Sequence, residues 1–248
     1  MTRRPTLRFG ALLLLGLSST PACADSVTLA CDRDNTLYES TTGALSNGAG
    51  PTMFAGRTNQ AANSRRRALV HFDVAAAVPA GSTITAASLT LNASQVSSAA
   101  PQVVALHRVL ADWGEGASNA GDPGGSGAPA ATGDATWKHC FFNTTLWAAP
   151  GGDFVAGPSA QLAVSDVGPW TWAPTAGMVA DAQAWLDTPG ANFGWLLTGD
   201  ESGGGTTKRF DTRESGDPAA RPSLRIDYTP AGTPAASVTW GRIKASYR

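Results

Sequence analysis

Residues 65–74 read RRRALVHFDV, and residues 84–93 read ITAASLTLNA. One side of each stretch is apolar at every second residue: Ala68, Val70 and Phe72, then Leu89, Leu91 and Ala93. A period of two predicts strands with one buried face and one exposed face. Pro79 fixes its own φ angle and Gly81 tolerates a positive φ, so the chain can reverse between the stretches. The segment therefore predicts two strands around one turn, and we expect the remaining strands to pack on this pair.

The rest of residues 25–229 contains further short strand patterns and one segment with a helical period. The other predicted strands lie at residues 27–30, 36–39, 52–56, 102–110, 135–142, 162–165, 169–173, 193–197, 208–213 and 224–228. Between Thr175 and Pro189, apolar residues recur with helical spacing at Met178, Val179, Ala182, Trp185 and Leu186. This stripe predicts one amphipathic helix. We therefore expect an all-β fold, a jelly-roll-like β-sandwich with one amphipathic helix.

The two ends of the sequence differ in composition from this central part. Arginines between residues 3 and 8 precede an apolar run at residues 9–17, and small residues follow at 22–24. These are the parts of a secretory signal peptide, with cleavage expected after residue 24. Lipidation of Cys23 is the alternative, which is less favoured because Thr20 stands where a large aliphatic residue is usual. Export to the outside of the cell or to the cell surface is the expected localisation.

The expected organisation is a signal peptide at residues 1–24, one β-sandwich domain at 25–229, and a Pro/Ala linker with a basic tail at 230–248. The apolar run is shorter than the roughly 20 residues that a membrane span needs. Residues 1–24 hold three arginines and no acidic residue, so their removal changes the formal net charge from −1 to −4. Nucleic-acid binding is therefore disfavoured. Extracellular polysaccharide and other cell-surface proteins are the partners to consider.

Two cysteines, Cys31 and Cys140, belong to the expected domain. An even number of cysteines in an exported protein predicts a disulfide between them. Two separate buried thiols are the alternative.

Candidates for metal binding and catalysis are few. Asp32, Asp34 and Asn35 are clustered near the first strand and could bind a structural calcium ion through oxygen atoms. A hydrated turn is the alternative, and no other cofactor is indicated. The histidines show no spacing typical of a zinc site. Asp112 and Glu115 could form a glycosidase carboxylate pair, but we expect packing and hydrogen-bonding roles, and therefore no enzyme activity.

The tryptophans give the strongest indication of a ligand. An exposed indole ring can stack on the apolar C–H face of a sugar. Five tryptophans lie on or beside predicted loops and are the candidate carbohydrate-binding residues: Trp113, Trp137, Trp147, Trp170 and Trp172. Trp170 and Trp172 share one face of a predicted strand, about 7 Å apart by strand rise. They could stack a glycan or pack on the helix, and both interpretations remain open.

Several motifs in order along the chain resemble those of DNRLRE-domain proteins, a group related to carbohydrate-binding module family 96 and to modules that flank archaeal disaggregatase. The matching segments are DNTLYE (34–39), RRALVHFD (66–73), PAGSTI (79–84), HRVLADWGEG (107–116), GDATW (133–137), PGGDF (150–154), QAWL (183–186), NFGW (192–195) and KRFDTRE (208–214). The resemblance extends across residues 34–228. It implies a secreted bacterial jelly roll, and binding of acidic polysaccharide in some relatives.

These observations together predict a secreted, non-catalytic module that binds polysaccharide or is adhesive at the cell surface. A purely structural extracellular or stalk protein with no small ligand is one alternative. A polysaccharide-degrading enzyme is a second and less favoured one.

Overall fold

The computed structural model describes residues 24–232, so the signal-peptide prediction up to residue 23 and the predicted tail from residue 233 lie outside the described residues. The described residues form fifteen strands and two α-helices. In chain order they are β1 (Asp25–Ala30), β2 (Arg33–Tyr38), β3 (Leu45–Ser46), β4 (Thr52–Arg57), β5 (Arg65–His71), α1 (Val74–Ala77), β6 (Thr83–Val96), β7 (Gln102–Arg108), β8 (Ala128–Pro129), β9 (His139–Phe141), β10 (Thr145–Leu146), β11 (Ala160–Val164), β12 (Gly168–Trp172), α2 (Ala176–Asp187), β13 (Trp195–Thr198), β14 (Lys208–Asp211) and β15 (Ser223–Thr229).

Eleven strands form one antiparallel sheet that curls into two halves. The front half contains β1, β15, β6, β12 and β14, and the back half contains β2, β5, β13, β7 and β11. Strand β4 joins them, because Thr52–Ala55 pairs with β14 whereas Gly56 and Arg57 pair with β5. Gly56 lies at this corner with φ = 111°, where an added Cβ would come within 2.9 Å of the Thr206 carbonyl oxygen. A side chain at this corner would therefore be strained.

The main core lies between the two halves. Leu89 of β6 is paired with Leu224 of β15 in the front half, and Val70 of β5 is paired with Trp195 of β13 in the back half; all four are buried in this core. Burial of a large apolar side chain contributes about 1.5–3 kcal/mol. The prediction of an all-β, jelly-roll-like sandwich is confirmed.

Helix α2 contributes its apolar stripe to the same core. Its buried residues include four that the helical spacing singled out: Met178, Ala182, Trp185 and Leu186. The helix begins after Thr175, whose hydroxyl accepts a hydrogen bond from the Met178 backbone N–H at 3.1 Å. This is an N-cap, which satisfies one of the free N–H groups of the first turn. The predicted amphipathic helix is confirmed.

The two strands of the opening segment are not a hairpin. Strand β5 belongs to the back half and β6 to the front half, and the connection between them contains the short helix α1. Asp73 caps α1 by accepting a hydrogen bond from the Ala76 backbone N–H at 3.0 Å. The apolar faces of β5 and β6 both enter the main core, which explains why both strands alternate so clearly.

A second apolar cluster covers the outer face of the back half. Leu37, Leu69 and Leu196 lie on the strand face opposite the main core, and they pack against residues of the segment 109–154, which we call the cap. The cap contributes Val109, Trp113, Ala135, Trp137, Cys140 and Trp147 to this cluster. The glycine-rich excursion from residue 112 to 134 is therefore part of an ordered layer over the sheet.

The predicted disulfide between Cys31 and Cys140 is wrong. Among the described residues both are free, buried thiols. Cys31 belongs to the main core, whereas Cys140 belongs to the cluster under the cap, on the opposite side of the back half. Across the described range, none of the helices is both long enough and apolar enough to cross a membrane.

Candidate functional site

Four of the five tryptophans predicted to bind carbohydrate are buried. Trp113, Trp137 and Trp147 form the apolar centre of the cap, and Trp172 lies in the main core. Their burial is accompanied by backbone hydrogen bonds: the indole N–H of Trp113 donates to the Phe193 carbonyl at 2.9 Å, and that of Trp147 donates to the Thr136 carbonyl at 2.9 Å. Since none of these four indoles has an exposed face, the prediction that they stack on a sugar is wrong for this structure.

Trp170 is the partly exposed member of the five. It lies on β12, packs partly against the main core, and donates its indole N–H to the Asp166 carbonyl at 2.9 Å. Trp172 follows two residues later and is buried edge to face against Phe210, with ring centroids 6.2 Å apart. A platform of two exposed indoles on this strand is therefore not formed.

A groove that is lined by none of these five tryptophans runs on both sides of Leu110. Leu110 lies just beyond the end of β7 and is 54% exposed. One concavity, of about 440 Å³, lies between Leu110 and the C-terminal end of α2. Another, of about 600 Å³, lies between Leu110 and the cap segment 148–154. We call the pair of concavities the Leu110 groove.

Each concavity of the Leu110 groove contains an arginine, an aspartate and a partly exposed phenylalanine, and the buried Trp185 also lines the α2 side. On the α2 side these residues are Phe193, Arg108 and Asp187. On the cap side they are Phe154, Arg67 and Asp153. Mostly apolar walls with a few charged groups are typical of small-molecule sites.

The cap side of the groove is held in place by hydrogen bonds. The Arg67 guanidinium binds both carboxylate oxygens of Glu201, at 2.7 and 2.9 Å, and donates to the Gly151 carbonyl at 2.9 Å. The Asp153 carboxylate accepts from the backbone N–H groups of Ala148 and Ala149, at 2.8 and 3.1 Å. These contacts fix the shape of this concavity before any ligand enters.

The α2 side is held less tightly. Arg108 lies 3.5 Å from a carboxylate oxygen of Asp181, and its side chain is 38% exposed. Asp187 accepts a hydrogen bond from the Gln183 side chain at 2.9 Å. Because the contact is long and the buried Asp181 carboxylate also accepts a hydrogen bond from the Trp195 indole N–H, the exposed Arg108 can exchange Asp181 for an incoming anionic group.

The structure also brings together three carboxylates that the sequence does not place near each other. Asp34, Glu115 and Glu214 each present one oxygen such that the three oxygens lie within 4.8 Å of one another. Asp34 lies on β2, Glu115 lies in the cap, and Glu214 follows β14. We call this group the carboxylate cluster.

One arginine holds the carboxylate cluster together. The Arg213 guanidinium donates to both oxygens of Glu115, each at 2.6 Å, and forms an ion pair with Glu214, whose Oε1 lies 2.9 Å from Nη2. Its backbone N–H donates to Oδ2 of Asp34 at 2.8 Å. Burial, with added repulsion from Glu214 and Glu115, raises the pKa of Asp34 well above its ordinary value, and burial likewise raises the pKa of Glu214. The negative charges of the cluster are therefore incompletely compensated.

The three residues predicted to bind calcium do not form one site. Asp32 bonds the His71 ring at 2.6 Å. The Asn35 side-chain oxygen accepts hydrogen bonds from the Thr36 N–H at 2.6 Å and from the Asn47 N–H at 3.1 Å. Only Asp34 belongs to the carboxylate cluster. The prediction of Asp32, Asp34 and Asn35 as one ligand set is corrected, because each side chain has a separate set of partners.

The carboxylates considered for glycoside hydrolysis are bound to different arginines. Asp112 forms an ion pair with Arg33 at 3.1 Å, whereas Glu115 is held by Arg213. Asp211, at the end of β14, accepts a hydrogen bond from the Asn92 amide at 2.6 Å. These contacts give each carboxylate a partner in the fold.

Comparison with known proteins gives no family: no family model matches the chain, and no curated protein matches it.

Proposed function

We propose that this protein is a secreted or cell-surface, non-catalytic module that binds an acidic polysaccharide in the Leu110 groove. The observation that carries the proposal is the repeated composition of the groove, an aromatic ring with an arginine and an aspartate on each side of Leu110. Two similar concavities side by side suit a ligand with a repeating unit.

The chemistry of a sugar ring fits this composition. Its apolar C–H face packs on an aromatic ring, while its hydroxyl groups need hydrogen-bond partners. In the groove, Phe193 and Phe154 supply the rings, and Asp187 and Asp153 supply acceptors. Arg67 is already bound to Glu201, but Arg108 can match the two oxygens of a ligand carboxylate with two parallel hydrogen bonds, which favours uronic-acid residues over neutral sugars.

Two further points support the proposal. The resemblance to DNRLRE-domain proteins implies an exported module, and some proteins of that group bind acidic polysaccharide. A non-catalytic role is supported by the contacts of the groove carboxylates, since Asp153 accepts two backbone hydrogen bonds and Asp187 accepts one from Gln183.

The proposal is tested by affinity electrophoresis of the purified protein in gels that contain a polyuronate or a neutral glucan. We expect retardation by the polyuronate and loss of that retardation in Leu110→Asp, which puts a negative charge between the two concavities. Val167→Asp is the matched control, because Val167 is 58% exposed and lines neither concavity. Equal retardation of both variants would contradict the proposed site, and no retardation of the unaltered protein would contradict the function.

A purely structural extracellular protein is the second candidate. It is favoured by the use of Trp113, Trp137 and Trp147 as the apolar centre of the cap, which makes a rigid layer and leaves these indoles unavailable to a ligand. This candidate predicts no retardation by any polysaccharide in the same gels.

A further inference from the structure

The carboxylate cluster has two oxygen atoms without a partner. Asp34 is completely buried, and its Oδ1 atom has no hydrogen-bond partner among the described residues; the same holds for the buried Oε2 atom of Glu214. A buried charged oxygen without a partner is strongly unfavourable. Since Oδ2 of Asp34 and Oε1 of Glu214 are already bonded within the Arg213 network, the two free oxygens need another positive group.

We propose that the carboxylate cluster binds one divalent metal cation, and that the ion is calcium. The ligands from this chain are Asp34, Glu115 and Glu214, whose nearest oxygens lie within 4.8 Å of one another. Two oxygens bound to one calcium ion at 2.3–2.6 Å are separated by at most about 5 Å, so the observed spacing fits a common ion.

The charge of the cluster also fits a divalent cation. Three carboxylates and the single Arg213 guanidinium have a formal net charge of −2, which one divalent cation neutralises. Arg213 binds Glu115 through Nε and Nη2, and Oε2 of Glu115 keeps a lone pair for an ion, whereas no hydrogen bond from Arg213 reaches the two free oxygens. A cation bound by Asp34 and Glu214 supplies positive charge to two carboxylates that each have a buried oxygen without a hydrogen bond.

Calcium suits this geometry better than magnesium. Calcium accepts six to eight oxygens in irregular arrangements, whereas magnesium requires a nearly ideal octahedron. The side chains of Glu115 and Glu214 are 15% and 21% exposed, so water molecules can reach the ion and complete its coordination. With three protein ligands and several waters, the expected dissociation constant is about 10⁻⁴ to 10⁻³ M.

The ion would join three parts of the fold. Asp34 belongs to the back half of the sheet, Glu115 to the cap, and Glu214 to the loop after β14 of the front half. Calcium bound to the native protein and not to the unfolded chain raises the stability of the folded state. The site shares no residue with the Leu110 groove, so it does not depend on the proposed function.

The test uses the full chain, stripped of metal with a chelator and titrated with calcium chloride by isothermal calorimetry. We expect one calcium ion per chain, and a rise in Tm when calcium replaces the chelator. In Glu214→Gln, which keeps an oxygen to accept from Arg213, we expect calcium affinity to fall at least about tenfold, because even the loss of a group that only supports a ligand costs a metal site about 10- to 100-fold. Asp112→Asn is the matched control, since it removes a cap carboxylate that lies outside the cluster and pairs with Arg33.

Two results would overturn the proposal. One is unchanged calcium affinity in a folded Glu214→Gln. The other is the absence of both heat and a Tm shift in the unaltered protein, which would mean that protons occupy the free oxygens. If Glu214→Gln does not fold, Asp34→Asn is measured in its place, because it retains an oxygen for the Arg213 N–H.

Discussion

The indole rings of Trp185 and Trp195 lie edge to face, with ring centroids 4.6 Å apart and an interplanar angle of 63°. Trp185 belongs to α2 and Trp195 to β13, so the contact joins the helix to the back half of the sheet. The Trp195 indole N–H also donates to the Asp181 carboxylate of the same helix at 2.8 Å. The helix is thus positioned by a ring contact and a charged hydrogen bond, and its C-terminal end forms one wall of the Leu110 groove.

We predict that Trp185→Ala lowers the free energy of unfolding by about 3–5 kcal/mol, as is usual when a large buried aromatic ring is removed. Urea denaturation measures the change. Trp170→Ala is the control, because this indole is only partly buried, and we expect it to cost clearly less. Equal losses in the two variants would contradict the packing described for α2.

The cap provides a second stability prediction. Trp147→Ala removes a buried indole and its hydrogen bond to Thr136, and we expect a loss of about 3–5 kcal/mol. The neighbouring Leu146→Ala is the control: Leu146 is 65% exposed, and surface substitutions usually change stability by less than about 0.5 kcal/mol. Similar unfolding curves for both variants would show that the cap is not packed on the sheet as described.

The state of the cysteines can be checked directly. We expect both Cys31 and Cys140 to be alkylated when the protein is unfolded without a reducing agent, because their thiols lie in separate clusters. In the folded protein the same thiols should react slowly, since they are buried and their pKa values are raised by burial. Mass spectrometry of the digested protein makes the measurement, and a peptide pair linked through these cysteines would contradict it.

The pH dependence of stability should depend on His107. Burial lowers the pKa of His107 below its ordinary value of 6.5; the hydrogen bond to the Val155 carbonyl and the Glu201 charge oppose this shift, while Arg67 adds to it. The unfolded chain therefore binds a proton at His107 more readily than the folded protein does. As a result, the contribution of His107 to stability is complete above about pH 6.5 and is lost as the pH falls below that value. We expect His107→Gln to lose less stability than the unaltered protein between about pH 7 and pH 5. Urea denaturation at several pH values tests this, and parallel losses in the two proteins would contradict it.

Arg108 should contribute to binding more than its weak ion pair with Asp181 suggests. We expect Arg108→Gln to weaken polyuronate binding about tenfold, which corresponds to about 1.4 kcal/mol. The variant should also bind with a weaker salt dependence. Arg225→Gln on β15 is the control, since Arg225 is exposed, pairs with Asp227 and lines neither concavity. If both variants bind alike, Arg108 is not part of the site.

The sequence predicts the main core well, because the strands of the front half, such as β6 and β15, alternate and the helix carries a clear stripe. The packing of the cap, in contrast, could not be predicted from periodicity. Its tryptophans lie in glycine-rich segments without a period, so Trp113, Trp137 and Trp147 look like exposed loop residues. A signal for the cap is nevertheless present in the sheet: the runs Ala68-Leu69-Val70 and Trp195-Leu196-Leu197 are apolar at consecutive positions, which is typical of strands covered on both faces.

The carboxylate cluster could not be predicted by the same reasoning. Glu115 lies 81 positions after Asp34 in the sequence. Arg213, the arginine that binds Glu115, lies another 98 positions further on. Sequence spacing brings Asp32, Asp34 and Asn35 together, but Asn35 follows Asp34 directly on β2 and points to the opposite face, and Asp32 precedes the strand and bonds the His71 ring. Asp34 therefore meets partners from the cap and from the loop after β14 instead of its own neighbours.

The central claim, that an acidic polysaccharide binds in the Leu110 groove, is tested most directly by NMR titration of the isotope-labelled protein with a short oligouronide. We predict that the amide signals that shift belong to residues around Leu110, Phe154 and Phe193, on both sides of the groove. Shifts confined to the region of Trp170, or no shifts at saturating ligand, would contradict the claim.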